Sequence, residues 1–450
     1  MRAQGPVGVV GAGYVGIATA TVLASWGTAT MLVENNPERL ALLDERRIPF
    51  YDPELEKVLA EVAGRGTLRF SRTLDDLAEA DVVLICVGTP PTATGALDLT
   101  ALEQVVARLV EAARPGAVIV IKSTVPPGTT TRLAGVVAAR RPDLPLVSCP
   151  EFLQEGNSLD DVRRPARIVV GGADDAACRK VAALFAPSEA PVLITDAASA
   201  ELVKYGANAF LATKISFVNE LSHFCDLVGA DVTVVAAGIG ADPRIGPAFL
   251  RAGLGFGGSC FPKDVRALED LGASHGYQSL LLKACSEINA KQRDRVVAKL
   301  RDALGGTLRG RRVAVLGLAF KPGTDDLRQA PALDVVAKLI TEEALVAVTD
   351  PVAAPGPPEL AREATLVADV YRCIEGADAL LLATEWPEYR SLDWERVRSL
   401  MHGNVIVDGR NFLDGVRLVE LGFNYHGVGR PPLARPDSHS DDAAGPGPAR

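Results

Sequence analysis

The chain has 450 residues, of which 48% are hydrophobic and 23% are charged, and its formal net charge at pH 7 is −9. This length is sufficient for about three domains of ordinary size, each with its own core. An acidic chain without a concentrated basic stretch is not expected to bind nucleic acid. No apolar run reaches the ~18 residues that a membrane-spanning helix requires, so no membrane partner is expected.

The first predicted element is a short strand, residues 7–10, which leads into the glycine motif Gly11-Ala12-Gly13-Tyr14-Val15-Gly16 and an apolar helix. In a dinucleotide-binding fold, Gly11 makes the tight turn, Gly13 admits the pyrophosphate and Gly16 allows close packing of helix and strand. The helix N-terminus then offers free N–H groups to the phosphates. Glycines in this context predict a dinucleotide site, although a purely structural turn is the alternative.

A second predicted strand, residues 29–33, ends in Glu34. An acid about 20 residues beyond the glycines can accept hydrogen bonds from both ribose hydroxyls and would repel a 2′-phosphate. The sequence therefore predicts NAD as the cofactor in preference to NADP. Arg39 could weaken this preference but is not expected to reverse it.

Short apolar runs alternate with helical patterns up to about residue 195. The later runs are residues 82–87, 117–121, 144–148 and 168–170. This alternation predicts right-handed βαβ units and a parallel sheet with helices on both faces. Ligands of such sheets bind at the carboxyl ends of the strands. The loops that follow the strands, residues 88–91, 123–129 and 150–156, are thus predicted to line a site, with simple Pro/Gly turns as the alternative.

From residue 198 to 228 the pattern is helical, with Gly206 as the one helix-breaking residue. It predicts a single helix of ~30 residues and ~45 Å, long enough to bridge two domains or to form a subunit interface. Lys204 and Asn208 are four residues apart and share a face of this helix; alone, such a pair could equally be solvated. A second helical stretch is predicted between about 265 and 304.

Residues 255–264 read GFGGSCFPKD. The glycines let the backbone approach a ligand closely, and Pro262 suits the first turn of a helix. Cys260 would then stand at a helix N-terminus, where the dipole favours the nucleophilic thiolate. Asp264 could accept a proton or position water. The alternative is a glycine-rich turn beside a small buried thiol.

Seven cysteines are scattered along the chain, an odd number without CxxC spacing. This pattern argues against a disulfide framework and a zinc site, so reduced thiols, no metal and a cytoplasmic location are expected. Residues 6–24 are apolar after Arg2, but they contain the glycine motif and no separable cleavage site, so a signal peptide is not predicted.

The alternation of strands and helices restarts at residues 313–328, with later strands at 345–349, 379–383 and 405–407. Phe320 and Lys321 stand where a dinucleotide fingerprint needs small residues. We therefore predict a degenerate copy of the fold that offers Lys321 and Arg328 to anionic groups, although surface cations are common. Residues 431–450 are poor in large apolar side chains and are predicted to form a disordered tail.

These motifs, in this order, resemble those of the UDP-glucose/GDP-mannose 6-dehydrogenase family from residue 7 to about 430. They read GAGYVG, STVPPGT, PEFLQEG, KYGANAFLATKISFVNE, RIG, GFGGSCFPKD and FKPGTDDLR. Residues 238–246 make the likeness greatest to bacterial members that oxidise UDP-glucose. The resemblance implies an α/β protein with two Rossmann-like, doubly wound parallel-sheet domains, joined by a long central helix in a helical dimerisation region. The expected bounds are 1–197 for the NAD-binding domain, 198–304 for the central helical domain, 305–430 for the nucleotide-sugar domain and 431–450 for the tail.

The resemblance also implies a four-electron oxidation of a sugar 6-hydroxyl to a carboxylate, with two NAD in succession and no release of the aldehyde. Lys204 is the family's candidate base for the hydroxyl proton, acting through water with Asp264. Cys260 would attack the aldehyde to form a thiohemiacetal, and a second hydride transfer would leave a thioester that water hydrolyses. Lys204 and Asn208 would stabilise the oxyanions. The residues implied to position or activate water are Asp264, Thr124 and Glu155. The order of the proton transfers stays open.

By the same resemblance, the NAD contacts are Gly11, Gly13, Tyr14, Val15, Gly16, Glu34, Arg39, Thr89, Thr124, Lys263 and Arg328. The contacts to the nucleotide sugar are Glu151, Phe152, Leu153, Glu155, Lys204, Asn208, Arg244, Phe249, Gly257, Phe320, Lys321 and Arg410. Arg244 would reach the site of a neighbouring subunit, so a homodimer or a dimer of dimers is expected. Glu34 replaces the Asp that is more usual in the family, and its extra methylene should still reach the ribose.

Several alternatives stay open. The same reaction could act on GDP-mannose or a UDP-N-acetylhexosamine, since nothing in the sequence identifies the base or the substituent at C2. A two-electron β-hydroxyacid dehydrogenase shares a Rossmann domain and a Lys/Asn pair but has no need for Cys260. An NAD-sensing binding protein would bind the cofactor without producing NADH. A uronic acid product would indicate a role in polysaccharide or lipid sugar synthesis.

Overall fold

The computed structural model describes residues 5–92, 95–353 and 360–434. The chain divides into two compact units. The first unit contains the described residues up to Thr213, together with Ser259–Ala284 and Gly323–Asp325. The second unit contains Lys214–Gly258, Cys285–Pro322 and the described residues from Asp326 onward.

The first unit is built on an eight-stranded sheet in the order β3-β2-β1-β4-β5-β6-β7-β8. The strands are β1 (Val7–Val10), β2 (Thr30–Val33), β3 (Leu68–Ser71), β4 (Val82–Ile85), β5 (Val118–Ile121), β6 (Leu146–Ser148), β7 (Ile168–Gly171) and β8 (Val192–Thr195). The predicted parallel pairing is confirmed for every neighbouring pair except β6 and β7, which pair antiparallel through Ser148 and Gly171. The order of the first six strands is that of a dinucleotide-binding fold.

Helices pack on both faces of this sheet, so its strands are buried on both sides and read as continuous apolar runs. Leu84 and Val120 belong to the core on one face, and Val83 and Ile119 belong to the core on the other. The helices are α1 (Tyr14–Ser25), α2 (Pro37–Asp44), α3 (Pro53–Gly64), α4 (Thr100–Ala112), α5 (Thr129–Arg140), α6 (Ser158–Arg163) and α7 (Asp175–Leu184).

The predicted long helix is a single element, α8 (Ala197–Val228), with 32 residues. At 1.5 Å per residue it is about 48 Å long. It begins in the first unit and ends in the second. The next helices are α9 (Val232–Gly240), α10 (Phe261–Ser274) and α11 (Leu280–Ala303). The prediction of one helical stretch between 265 and 304 was therefore wrong, because the chain turns at Gly276, whose φ is +73°.

The second unit contains a six-stranded sheet in the order β11-β10-β9-β12-β13-β14, and all its neighbouring pairs are parallel. The strands are β9 (Arg312–Leu316), β10 (Leu345–Thr349), β11 (Thr365–Leu366), β12 (Ala379–Leu382), β13 (Val405–Asp408) and β14 (Asn424–Gly427). The helices are α12 (Pro331–Thr341), α13 (Leu360–Glu363), α14 (Val370–Ile374), α15 (Pro387–Arg390), α16 (Trp394–Leu400) and α17 (Gly415–Glu420). This order repeats the Rossmann order, so the predicted fold class of two Rossmann-like domains with a long helix is confirmed.

Beyond β14, Leu433 pairs with Tyr425 of that strand through two backbone hydrogen bonds of 2.8 and 2.9 Å. Most of the predicted tail, residues 435–450, lies outside the described residues. Within the described part of the chain, no helix combines the length and apolar character that crossing a bilayer demands.

The glycine motif between β1 and α1 contains two glycines with different requirements. Gly11 has a φ of +99°, a conformation that favours glycine, and a Cβ at Gly16 would overlap the carbonyl oxygen of Gly11. A Cβ at Gly13 would meet no protein atom within 4 Å. Gly16 is therefore required by the fold, whereas Gly13 leaves space for a ligand.

Substitution of these two glycines should separate folding from cofactor binding. We expect Gly16→Ala to lower the free energy of unfolding by about 1–3 kcal/mol, because the helix must move away from the turn. Gly13→Ala should leave the free energy of unfolding unchanged and weaken NAD binding by about tenfold or more, because its methyl group fills the space next to the turn. Denaturant unfolding and calorimetric titration with NAD measure the two effects. Equal effects of the two substitutions on both quantities would contradict this assignment.

Candidate active site

Glu34 lies at the carboxyl end of β2, beside the glycine turn. Its Oε2 accepts a 2.9 Å hydrogen bond from the Ala12 N–H, and its Oε1 accepts one of 2.8 Å from the Asn36 N–H. The side chain is only 6% exposed. Each carboxylate oxygen has two lone pairs, so Glu34 retains acceptor capacity for ribose hydroxyls. The open space at Gly13 and this fixed carboxylate fit a dinucleotide.

Several other residues predicted to contact NAD lie near this turn or in the next loops of the first unit. Tyr14 stacks on Phe50 with ring centroids 3.8 Å apart, and Arg39 is exposed in the first turn of α2. The Thr89 hydroxyl donates a 2.8 Å hydrogen bond to the carbonyl oxygen of Thr124. This bond joins the loops that follow β4 and β5, as the parallel sheet predicts.

Lys204 on α8 forms a buried ion pair with Glu151, which lies in the loop after β6. Nζ of Lys204 lies 2.7 Å from Oε1 of Glu151, and the side chains are 3% and 8% exposed. Oε2 of Glu151 accepts a 2.6 Å hydrogen bond from the Leu153 N–H, and the Phe152 ring centroid lies 5.5 Å from Nζ. Burial alone would lower the pKa of Lys204, but the negative groups around it, Glu151 first, raise the pKa above its usual value. Lys204 is therefore held as a cation.

Asn208, one turn further along α8, faces Asp264 in the first turn of α10. The Asn208 Nδ2 donates a 2.6 Å hydrogen bond to Oδ2 of Asp264. Nζ of Lys263 donates one of 2.6 Å to the other carboxylate oxygen. Asp264 is 1% exposed, so its charge is compensated by these two donors.

Cys260 is the N-cap of α10, and Pro262 lies in the first turn, as predicted. Its side chain is partly accessible, whereas the other six cysteines are buried. Burial, followed by the charge of Glu151, raises the pKa of the Cys260 thiol, and Lys204 opposes this shift. Burial thus opposes the thiolate form that the helix N-terminus is predicted to favour, because loss of hydration disfavours the charged state. The resting thiol is neutral and needs a proton acceptor.

The second unit contains the remaining predicted sugar contacts and Arg328. Arg244 forms an ion pair with Asp242 and its side chain is 86% exposed. Phe249 has a φ of +64°, a strained conformation for an aromatic residue. Nζ of Lys321 lies 5.8 Å from the ring centroid of Phe320.

Three further predicted residues of the second unit make contacts within it. Arg328 binds both carboxylate oxygens of Asp326. The Arg410 guanidinium donates hydrogen bonds to backbone carbonyl oxygens, among them those of Ala383 at 2.7 Å and Phe320 at 3.3 Å. A Cβ at Gly257 would overlap the backbone of Gln329. The lack of a side chain at Gly257 therefore allows close contact with another part of the protein.

The second unit also shows why its glycine turn differs from the first. Gly317 after β9 has a φ of +96°, like Gly11 after β1. Asp350 after β10 accepts hydrogen bonds from the N–H groups of Leu318, Ala319, Val352 and Ala353 and from the Trp386 indole. The acid that could bind a ribose is thus occupied by protein donors, in agreement with a degenerate copy of the fold.

Two polar residues at the site were not found by sequence reasoning. Glu201, 2% exposed, accepts hydrogen bonds from the N–H groups of Gly128 and Thr130 at 2.6 and 2.8 Å and from the Thr130 hydroxyl at 2.5 Å. It ties the N-terminus of α5 to the helix that carries Lys204. The Ser259 hydroxyl donates a 2.7 Å hydrogen bond to Glu155. Helical spacing places Glu201 on the same side of α8 as Lys204. The hydrogen-bond partners of Glu201 and Ser259, however, are far from them in sequence, so the sequence gives no sign of these contacts.

The first unit therefore combines a dinucleotide-binding turn with a thiol, a buried lysine cation and compensated carboxylates. No group of three potential metal-ligating side chains occurs in the ranges that the structure describes. This combination defines a dinucleotide-dependent oxidoreductase with a cysteine in its site.

Comparison with known proteins identifies the family. The chain belongs to the UDP-glucose/GDP-mannose dehydrogenase family and matches its NAD binding domain over residues 6–189, its central domain over 198–291 and its UDP binding domain over 314–415. The predicted family and the NAD cofactor are confirmed, and the chain is an NAD-dependent nucleotide-sugar dehydrogenase.

Individual relatives resemble the chain over nearly its whole length. It is 43% identical to a UDP-glucose 6-dehydrogenase of Pseudomonas aeruginosa, over 94% of this chain and 97% of that protein. A UDP-glucose dehydrogenase structure from Pyrobaculum islandicum has a TM-score of 0.87 at 37% identity and covers 95% of this chain and 98% of its own. A UDP-D-ManNAc dehydrogenase structure from Pyrococcus horikoshii has a TM-score of 0.83 at 27% identity, with 94% and 99% covered.

The Glu201 contacts predict a large loss of stability when they are removed. Glu201→Ala leaves three donors without their acceptor in a buried position, so the free energy of unfolding should fall by about 3 kcal/mol or more. Glu220→Ala is the matched control, since Glu220 is exposed on the same helix, and should change this free energy by less than about 0.5 kcal/mol. Denaturant unfolding of both variants measures the difference, and equal stabilities would contradict the assigned role.

Proposed function

We propose that the chain oxidises the 6-hydroxyl of UDP-glucose to a carboxylate, producing UDP-glucuronate in two successive oxidations. The observation that carries this proposal is the partly accessible Cys260 thiol in a site that also holds the Lys204 cation and the Asp264 carboxylate. A single oxidation to an aldehyde requires no nucleophile, whereas the second oxidation requires a covalent or hydrated adduct. The UDP-glucose dehydrogenases described above are more similar to the chain than the UDP-D-ManNAc dehydrogenase, which favours UDP-glucose as the sugar nucleotide.

The charged groups of the first unit can be given roles in the first oxidation. Gly13 and Glu34 would hold NAD, which would supply the acceptor for the hydride from C6. Because its pKa is raised, Lys204 acts in this proposal as a fixed cation that stabilises the sugar oxyanion, together with the Asn208 amide. The 6-hydroxyl proton passes through water to Asp264, which differs from direct proton transfer to Lys204.

Cys260 provides the covalent step of the second oxidation. Its thiolate adds to the aldehyde carbon to form a thiohemiacetal, and loss of the second hydride leaves a thioester. Glu155 and Thr124 position the water that attacks the thioester carbon, and the thiolate is the leaving group. Hydrolysis thus releases the acid and restores the free enzyme, and the aldehyde never leaves the site.

The remaining predicted contacts belong to the same proposal. Tyr14, Val15, Thr89, Lys263 and Arg328 are proposed as further NAD contacts, with Arg39 near the ribose. Glu151, Phe152 and Leu153, with Phe249, Gly257, Phe320, Lys321 and Arg410, are proposed to contact the nucleotide sugar. A reduced cytoplasm is the proposed location, because a partly accessible catalytic thiol must be kept reduced.

A homodimer formed along α8 is part of the proposal. Phe210, Phe217 and Phe224 are 66%, 49% and 55% exposed. Their seven-residue spacing places them on one face of the helix. Exposed aromatic stripes of this kind mark protein interfaces. Arg244, also exposed, would reach the sugar nucleotide of the partner subunit.

The stoichiometry of the reaction tests the function. We expect two NADH per UDP-glucose consumed and no turnover with GDP-mannose or UDP-N-acetylglucosamine under the same conditions. Cys260→Ala should abolish formation of the acid while NAD binding remains unchanged, because the thiol does not hold the cofactor. NADH absorbance and chromatographic analysis of the sugar nucleotide measure both quantities. One NADH per sugar, or full acid production by Cys260→Ala, would contradict the thioester route.

The proposed interface predicts the mass of the protein in solution. Phe217→Asp places a charge in the middle of the stripe and should convert the dimer to a monomer at micromolar concentration. Val136→Asp is the control, since Val136 is 56% exposed on α5, away from α8 in sequence, and should leave the mass unchanged. Light scattering after size exclusion measures both variants. A monomeric wild type, or a Phe217→Asp variant with the wild-type mass, would exclude an interface along this face of α8.

A further inference from the structure

The Cys260 thiol must lose a proton before it can attack a carbonyl carbon. Lys204, the cation near the thiol, cannot accept this proton, because it is held protonated. The hydrogen bonds of the Glu151 and Asp264 carboxylates run to Lys204, Leu153, Asn208 and Lys263, not to the thiol. None of these groups has a direct hydrogen-bond path to Sγ among the contacts described above.

Ser259 provides such a path to a different carboxylate. Its Oγ lies 3.5 Å from Sγ of Cys260, within hydrogen-bond range for sulfur, and donates a 2.7 Å hydrogen bond to Oε1 of Glu155. A hydroxyl can accept one proton while it donates another. Glu155 is 8% exposed, so the path from Sγ through Oγ to Oε1 is largely shielded from bulk water.

We propose that Ser259 relays the thiol proton of Cys260 to Glu155. The S–H bond breaks as its proton binds Oγ of Ser259, and the original hydroxyl proton of Ser259 moves to Oε1 of Glu155. The products are a thiolate, an intact serine and a neutral Glu155, so charge and atoms balance without another reactant. After the thiolate has added to the aldehyde, the proton leaves Glu155 for the new alkoxide or for solvent. Glu155 is then again a carboxylate and can position the hydrolytic water.

This inference rests on the proposed role of Cys260 as nucleophile, but its test needs no sugar. The probe is iodoacetamide, which alkylates the thiolate, and the readout is the rate of alkylation of Cys260 as a function of pH, followed by peptide mass spectrometry. The six other cysteines are buried, and Cys260→Ala gives the background rate.

Ser259→Ala should slow alkylation of Cys260 at neutral pH by about tenfold, the effect of one lost hydrogen bond to an ionised group. The midpoint of the pH profile should move upward, because the thiolate loses the Ser259 hydroxyl that donates a hydrogen bond to it, while the limiting rate at high pH stays the same. Ser259→Thr retains the hydroxyl and should restore the wild-type profile. Thermal unfolding of both variants shows whether the fold is intact.

Glu155→Gln removes the final acceptor and should shift the profile in the same direction. If the two residues act as one relay, the double variant Ser259→Ala/Glu155→Gln shifts it no further than either single variant. An unchanged midpoint in Ser259→Ala, or additive shifts in the double variant, would overturn the relay. The alkylation experiment contains no sugar, so its result does not depend on the proposed function. An NADH stoichiometry other than two would overturn the proposed function without affecting the test of the relay.

Discussion

Helix α8 carries charged and polar side chains into a protein interior, where each requires a partner. Glu201, Lys204 and Asn208 lie on one side of its first half, and each is less than a tenth exposed. An uncompensated charge in such a position costs several kcal/mol, so the helix can pack only if the facing loops supply donors and acceptors. The N-terminus of α5 provides donors for Glu201, the loop after β6 provides Glu151 for Lys204, and α10 provides Asp264 for Asn208. Packing of this one helix thus brings three separate segments of the chain to the site.

The same requirement explains the chemistry of the thiol. Burial costs less free energy for a neutral thiol than for a thiolate, and the negative charge of Glu151 disfavours the thiolate further. The Lys204 cation acts in the opposite direction but is shared with Glu151, so it stabilises a thiolate only in part. A site of this kind keeps its nucleophile protonated at rest and activates it by moving a proton over a short distance. The Ser259 hydroxyl and Glu155 provide the path for this proton.

The two Rossmann-like units show how one turn can serve two purposes. In both, a glycine with positive φ follows the first strand and an acid follows the second. Each carboxylate oxygen of Glu34 accepts one hydrogen bond from the backbone, so Glu34 retains acceptor capacity. The Asp350 carboxylate accepts hydrogen bonds from five protein donors. The first turn can therefore receive a ribose. The second turn is completed by the protein itself.

The amino-acid sequence by itself determined the fold class, the cofactor and the family, because these depend on local features: the glycine turn, the acid after β2, the alternation of strands and helices and the uninterrupted helical pattern of α8. It also identified Cys260, Lys204, Asn208 and Asp264 as a group. The tertiary structure decided the direction in which the pKa of Cys260 is shifted, since hydration is lost only when other segments cover the thiol. It likewise revealed Glu201 and Ser259, whose partners lie 71 and 104 residues away in the chain. The tertiary structure also decided the antiparallel pairing of β6 with β7 and the break before α11. The direction of a strand is set by packing, and the helix ends there at a glycine turn, so neither feature is visible in the periodicity of the sequence.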